Sequence, residues 1–485
     1  MTIKLYNTAT RQKEDFIPLV EGKVGIYVCG VTVYDHSHIG HARSAIVFDV
    51  LVRYFRARGM DVTYVRNFTD VDDKIINRAN ELGKDTVVLA QEYIDSFYED
   101  MDALGVMKPD KEPRATEYIN DMIDMIQVLI QKGFAYEVDG DVFYAVEKLD
   151  DYGMLSGRRL DDMKAGSRID INEKKKHPMD FALWKNAKPG EPMWESPWGN
   201  GRPGWHMECS VMSNHFLGST FDIHGGGQDL LFPHHENERA QSKAATGGEF
   251  ARYWVHNGFL TVESEKMSKS LGNFILIKDA LRDYHPEVLR FFLLSKQYRS
   301  PLDFSKKDVL DFQAGLIRIY RTLQRLDEII GQYNGSGLSD IRGLIKEEPD
   351  NDFLNRFISL MDDDLNTAGA IGIIFDKIKE LNRIMDEAGD DPSDSAKYQL
   401  RGERQALLKV AAVLGILTSD PSEFLSQIEK PSDVDETEIE DLIRQRADAR
   451  TNRDWAKADA IRDKLQQMGI ILEDAAGGTK WRREV

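Results

Sequence analysis

Two imidazoles and two ammonium groups, far apart in the chain, have the types and spacing that suit phosphate. His38 and His41 stand three residues apart with Gly40 between them. On a helix that spacing puts both rings on one face, and the glycine lets a ligand approach the backbone. Ahead of them, Gly25-Ile26-Tyr27-Val28-Cys29 reads as a short buried strand. A loop follows, and the pattern predicts a helix from His38 with Ser37 as its N-cap. A strand end, a glycine-containing loop and a helix N-terminus hold phosphate through free N–H groups and the positive end of the helix dipole. Lys266-Met267-Ser268-Lys269-Ser270 follows a second apolar run and supplies the two cations. Taken singly, a histidine pair of this kind is more often a solvated helix start.

A second set of residues could hold a metal. His234 and Glu238 are spaced i,i+4 on a predicted helix and point the same way. Cys29 ends a strand and Cys209 lies near a helix start. Two thiolates, an imidazole and a carboxylate form a borderline-soft tetrahedral set suited to zinc. Spacing alone leaves this open. A His-x-x-x-Glu pair is commonly a surface salt-bridge face, and two cysteines can simply be reduced core thiols. Two cysteines in 485 residues do exclude a disulfide framework.

The elements that must position these groups follow from the pattern. Asp61 to Phe68 reads as a second strand, so strand–helix–strand gives a βαβ unit and a parallel sheet. Ligands in such sheets bind at the carboxyl ends of strands, where Cys29 and Thr69 both fall. The expected class is α/β: a Rossmann-like parallel-sheet catalytic domain with an insertion, then an α-helical bundle and a small C-terminal domain. Its expected parts are 1–112, the first half of the nucleotide-binding fold; 113–204, the insertion; 205–304, the second half with the lysine motif; 305–420, the bundle; and 435–485, the C-terminal domain. Residues 1–23 read as irregular and Ser419 to Asp435 as a linker. Phe353 to Ala388 reads as one long helical pattern, and the segment after Gly469 as a small hairpin.

At 41% hydrophobic and 30% charged, the chain is of globular composition. No apolar run approaches the roughly 18–20 residues of a membrane helix and no signal peptide opens it, so a cytoplasmic protein without membrane contact is expected. A net charge of −19 argues against a general nucleic-acid coat. The segment from Arg444 to Arg483, however, carries ten lysines and arginines against six acids, a local basic face.

The two phosphate-type motifs, complete and in order, resemble the His-Ile-Gly-His and Lys-Met-Ser-Lys-Ser signatures of class I aminoacyl-tRNA synthetases. Gly30-Val31-Thr32-Val33-Tyr34-Asp35, Trp205-His206-Met207-Glu208-Cys209-Ser210 and Gly225 to Glu238 are similar to the signature segments of the cysteinyl-tRNA synthetase family. The likeness runs from Leu5-Tyr6-Asn7 to Gly478-Thr479-Lys480-Trp481. One departure is Val31, where the family usually has proline; it removes a preset φ but no chemical group.

The resemblance implies a cysteine–tRNA ligase that uses L-cysteine, Mg-ATP and tRNA(Cys), with one zinc per chain, acting as a monomer. It places the zinc ligands on Cys29, Cys209, His234 and Glu238. Catalysis falls to His38, His41, Lys266 and Lys269, and ATP binding to His38, His41, Asp229 and Lys269. The cysteine pocket falls to Gly30, Thr69, Trp205 and His224. Tail cations, with Trp455 and Trp481, would meet the tRNA. Two rivals share parts of the pattern: a ligase of the same fold that joins cysteine to a small amine such as an amino sugar, and a non-catalytic RNA-binding paralogue. The basic C-terminal segment argues against the first and the complete motifs against the second.

Overall fold

The structure is a computed structural model. It describes residues 2–160, 174–263, 265–267, 273–331, 340–389, 391–428, 436–451, 454–467, 470–475 and 478–483. The chain divides into two compact units, Met1–Phe312 with Arg325–Thr418, and Gln313–Gln324 with Ser419–Val485.

In the first unit, β1 (Lys4–Asn7) and β2 (Gln12–Asp15) form an antiparallel hairpin where an irregular segment was expected. At four residues each, the strands are too short for an alternation to stand out in the sequence. The central sheet follows. β3 (Lys23–Val28) leads through α1 (Ile39–Ala57) to β4 (Asp61–Arg66), and the two strands pair in parallel, Val24 against Val62 and Val28 against Arg66. After α2 (Asp73–Leu82), α3 (Thr86–Ala103) and α4 (Ile119–Gln131) comes an antiparallel sheet of β5 (Ala135–Val138), β6 (Asp141–Tyr144), β7 (Phe181–Asn186) and β8 (Gly201–Pro203). Its first turn, Asp139-Gly140, has positive φ at both residues, 52° and 81°, as a type I′ hairpin requires. α5 (Trp205–Leu217), β9 (Thr220–Gly227), α6 (Glu236–Thr246) and β10 (Phe250–Asn257) complete the catalytic half, and the parallel sheet has the order β10-β9-β3-β4. The expected parallel sheet is therefore present, and α1 is buried on nearly every face because it lies against it.

A three-stranded sheet of β11 (Leu260–Val262), β12 (Glu265–Lys266) and β13 (Leu302–Phe304) carries the chain into and out of the lysine-motif region. Short helices α7 (Ile277–Asp283) and α8 (Pro286–Leu293) lie between β12 and β13 in sequence. Beyond them run α9 (Lys306–Ile330), α10 (Asp352–Asp362), α11 (Thr367–Ala388) and α12 (Asp394–Leu414). The single helical pattern expected from Phe353 to Ala388 is broken at Asp364 and Leu365, both at positive φ. Asp364 is the reason: its buried carboxylate accepts from Tyr6 N, Tyr298 Oη and Arg299 Nε, each at 2.8 Å. Two segments distant in sequence, at Tyr6 and at Tyr298-Arg299, thus override a local helical preference.

The second unit holds α13 (Pro421–Ile428), within the stretch expected to be a linker, then α14 (Glu436–Thr451) and α15 (Trp455–Gln467). The expected hairpin is β14 (Ile470–Ala475) with β15 (Gly478–Arg483). Leu442, Ile461, Leu465 and Ile470 form its small core. Among the described residues no helix is long and apolar enough to cross a membrane.

One buried ion pair ties α1 to the helices around it. The fully buried Arg290 on α8 pairs with Asp49 on α1, donates from Nε to Leu414 O at 2.8 Å, and reaches Leu104 O and Gly105 O at 3.2 Å. Asp49 also takes Arg53 Nε at 2.8 Å and Met107 N at 3.0 Å. Burial works against charge on Asp49, but Arg290 and Arg53 hold its carboxyl below the usual range. Removing one partner of such a pair strands the other charge. Asp49→Ala is therefore expected to lower unfolding free energy by about 3–5 kcal/mol in chemical denaturation; a loss under about 1 kcal/mol contradicts this account.

Candidate functional site

β3 hands the chain to β4 on one side of the sheet, and β9 hands it to β10 on the other. The crevice between the carboxyl ends of β3 and β9 is thus the switch point at which ligands bind in doubly wound sheets. A cavity of about 280 Å³ lies there, and Cys29, Gly30, His38, His41, Trp205 and Asp229 are all on its wall. Six of the expected site residues are brought together. Thr69 and His224 are not among the lining residues. Thr69 is buried with Oγ1 donating to Glu208 Oε2 at 2.6 Å, and His224 lies inside the sheet on β9. Lys266 ends β12, while Lys269 falls outside the described residues.

At the base of the cavity four donors from four chain segments converge, all within 4.8 Å of one another: Cys29, Cys209, His234 and Glu238. Cys29 Sγ is 3.5 Å from Cys209 Sγ and 3.3 Å from Glu238 Oε1. His234 Nε2 is 3.6 Å from Cys209 Sγ and 2.8 Å from Glu238 Oε1. Donors on one tetrahedral zinc lie about 3.4–3.8 Å apart, given Zn–S near 2.3 Å and Zn–N near 2.0 Å. The set fits such an ion in chemistry. The separations of Cys209 from Cys29 and from His234 fall in this range and Cys29–Glu238 lies just below it, while His234 and Glu238, hydrogen-bonded at 2.8 Å, would open to accept the metal. His234 is not on α6 itself but in the irregular turn Leu231–His235 before it, where Phe232 takes an extended conformation.

The charges of these groups are interdependent. Burial pushes the Cys29 thiol up, and its hydrogen bond to Cys209 keeps the proton there. Burial also opposes ionisation of Cys209, but the hydrogen bond from Cys29, with help from His234, brings it down to about 6. Burial works against charge on His234, yet Glu238 and Cys209 push it up to about 10. Against burial, His234 and His224 hold Glu238 well below the carboxylate range. A divalent cation takes the place of the protons such a set otherwise shares.

A second layer of residues orients the donors. His234 Nδ1 is 2.8 Å from His206 Nδ1. Burial and the neighbouring His234 push His206 well below the ordinary histidine value, so its ring stays neutral. The Trp205 indole stacks on the other side of His234, centroids 4.1 Å apart. His224 Nε2 holds Glu238 Oε2 at 2.8 Å while its Nδ1 meets Tyr27 O at 3.2 Å. Anchoring of a ligand's free atom in this way fixes ring orientation and tautomer. Sequence reasoning missed His206, although it stands three residues before Cys209 and so on the same face of α5. Glu208 and Asn67 were missed as well, and nothing in their spacing marks them.

The paired histidines are more than surface rings. His38, not Ser37, is the N-cap of α1: its Nδ1 accepts from Gly40 N at 3.1 Å. His41 Nδ1 accepts from His38 N at 3.3 Å, and the rings stack at 3.7 Å. An accepting Nδ1 carries no proton, so each neutral ring carries it on Nε2 and offers an N–H donor there. Burial, then His38 and Lys74, push His41 well below the ordinary histidine value, so it stays neutral.

The loop after Cys29 is fixed by contact rather than by proline. Thr69 N donates to Val31 O and Val33 N to Thr69 O, both at 3.2 Å, so Val31 needs no preset φ. Gly30 N donates to Asn67 Oδ1 at 2.9 Å, and a Cβ on Gly30 would lie 1.5 Å from Asn67 O.

These features have counterparts in known proteins. Residues 15–314 match the model of the tRNA synthetases class I (C) catalytic domain, 356–418 the DALR domain, and 436–482 the cysteinyl-tRNA ligase anticodon binding domain. Methionyl-tRNA synthetase of Mycobacterium tuberculosis, solved with methionyl-adenylate, shares the fold with a TM-score of 0.61 at 16% identity, covering 84% of this chain and 94% of that one. The fold is that of a class I aminoacyl-tRNA synthetase. Cysteine–tRNA ligase of Geobacter metallireducens is 55% identical, covering 99% of this chain and 100% of its own. That of Desulfotalea psychrophila is 51% identical over 99% of each. The chain belongs to the cysteine–tRNA ligase family. The amino-sugar rival has no support, since the anticodon-domain match covers the segment on which the two readings differ.

The closeness of Gly30 to the Asn67 backbone generates a test. Gly30→Ala must displace the strand end that carries Cys29, and is expected to destabilise the fold by about 1–3 kcal/mol or more. A loss below about 0.5 kcal/mol in chemical denaturation, the range of a neutral surface change, would contradict the packing described.

Proposed function

We propose that the chain activates L-cysteine with ATP to cysteinyl-adenylate and transfers the cysteinyl group to tRNA(Cys). The observation that carries this is the convergence of Cys29, Cys209, His234 and Glu238 beside a cavity that also presents His38 and His41. Zinc held by the four donors would supply a thiophilic Lewis acid, which favours a substrate thiolate over the serine hydroxyl. Apolar pockets separate small substituents by only about 10–200-fold, so a metal-type donor set is the feature that suits cysteine.

The chain's own groups have these roles. Gly30 leaves room for the substrate backbone, and Trp205 walls the pocket and braces His234. Thr69, held by Glu208, and His224, held by Glu238, shape the pocket from behind its wall. His38 and His41 donate from Nε2 to the phosphate oxygens, where negative charge builds as the carboxylate attacks the α-phosphate. Asp229 accepts from the adenosine ribose. Lys266 and Lys269, placed by motif, neutralise the departing pyrophosphate, whose oxygens also carry the magnesium that enters with ATP.

Residues 1–112 and 205–304 form the two halves of the catalytic fold, with 113–204 inserted between them. Residues 305–420 form a bundle, and 435–485 bind the anticodon end of the tRNA. The protein acts as a cytoplasmic monomer.

Elemental analysis is expected to find one zinc per active chain. Cys209→Ser should raise KM for cysteine at least tenfold, and KM for ATP less than twofold, in ATP–pyrophosphate exchange. A fully active, chelator-washed chain without metal would refute the donor assignment. No cysteine-dependent exchange at all would refute the activity.

The tail gives a separate test. Adenylate formation needs no residue beyond Thr437, so deleting Thr437 to Val485 should leave exchange intact. tRNA charging should fall by tenfold or more and lose its anticodon preference, because the acidic body repels RNA and the local cations no longer offset it. Unchanged charging efficiency would assign the tail a purely structural role.

A further inference from the structure

We infer that Arg43 is a positioning residue for adenylate formation: it fixes the lysine-motif strands at a set distance from the histidine pair. This rests on the activity proposed above. Arg43 follows His41 by two residues and is 1% exposed. No carboxylate pairs with it among the described residues. Its guanidinium instead donates to four backbone carbonyls on two distant segments. Nη1 reaches Gly258 O at 3.0 Å and Phe259 O at 2.6 Å, and Nη2 reaches Tyr298 O at 3.2 Å and Ser300 O.

Those segments are the roots of the three-stranded sheet. Phe259 immediately precedes β11, which pairs with β12 at Thr261 and Lys266, and Ser300 leads into β13, which pairs with β11 at Leu260 and Leu302. The two roots meet so closely that a Cβ on Gly258 would lie 2.6 Å from both Arg299 O and Ser300 O. Only a donor that satisfies several carbonyls at once can fill that junction, because carbonyl oxygens brought together repel and, buried, need partners. A planar fork of five N–H groups does so; an ammonium cannot reach both segments with the same geometry.

The returning chain is pinned to the start of the same helix. Ile39 N donates to Ile275 O at 3.0 Å and Ile277 N to Ser37 O at 2.9 Å. The Phe274 ring packs on His38 with centroids 4.6 Å apart. Both ends of the excursion that carries the lysine motif are therefore anchored within residues 37–43, the stretch that holds both histidines. Arg43 supplies the outgoing anchor and is not itself among the residues that line the cavity. Its effect on the reaction runs through the placement of Lys266 and the residues after it.

The test is a double-mutant cycle in full-length, zinc-loaded protein, read by ATP–pyrophosphate exchange. Arg43→Lys is expected to lower kcat by roughly 10–100-fold, the scale of an ångström-sized misplacement, with zinc content unchanged and KM for cysteine within twofold. In a Lys269→Ala background the same change should cost clearly less than in the parent, since one of the two lysines of the motif it positions is gone. A normal kcat for Arg43→Lys, or an undiminished penalty in the Lys269→Ala background, overturns the inference. If Arg43→Lys does not fold, Arg43→Gln is measured in its place. If neither folds, Arg43 serves stability alone and the inference also fails. Absence of exchange in the parent chain would instead overturn the activity on which the cycle depends.

Discussion

Two thiols, an imidazole and a carboxylate lie within 4.8 Å of one another at the base of the cleft, with three of the four residues fully buried. That is the arrangement on which the rest of the molecule depends. Ionisable groups packed out of water are strongly unfavourable unless something compensates their charge. The protein provides the compensation in layers. His224 holds Glu238, His206 holds the far nitrogen of His234, and Trp205 covers the ring. The donors come from the residue after β3, the second turn of α5, the turn Leu231–His235 and α6. Small shifts of any of these would separate them, so the sheet, the flanking helices and the ion pair of Asp49 with Arg290 can be seen as the frame that holds four atoms in place.

The same frame unites two chemistries in one cavity. The strand that ends in Cys29 runs straight into the loop and helix that present His38 and His41. A ligand group captured at the sulfur and carboxylate end is thereby brought against donors a few residues further along the chain. Covalent proximity sets the distance between the part of the site that would select an amino acid and the part that would act on ATP, and rigid elements keep it there.

Much of this was legible in the residues. The βαβ unit, the strand that leads to Cys29 and the final hairpin follow from periodicity and spacing, whereas the i,i+4 spacing of His234 and Glu238 points to one helix and His234 lies in the turn before it. What was not legible came from contacts between segments far apart in sequence. The helix break at Asp364 is imposed by Tyr6, Tyr298 and Arg299, which no local pattern reveals. Ser37 looked like a better cap than His38 because serine is the common choice, yet the histidine ring accepts the bond. Thr69 sits at a strand end, where a ligand contact is the natural guess, but its hydroxyl is taken by Glu208, whose own position depends on α5. The convergence of Cys29 with Cys209 was suggested by resemblance, since scattered ligands carry no spacing signal.

The count of cysteines has a consequence for the cell's supply of the protein itself. Both cysteines of the 485-residue chain belong to the donor set, and there are no others. A ribosome making one copy therefore draws on only two cysteinyl-tRNAs, the product this family makes. A catalyst that needed its own product at many codons would be hardest to make when that product ran short. Here the demand is confined to the two positions whose thiols enter the donor set, so during cysteine scarcity the chain competes weakly for the pool it replenishes.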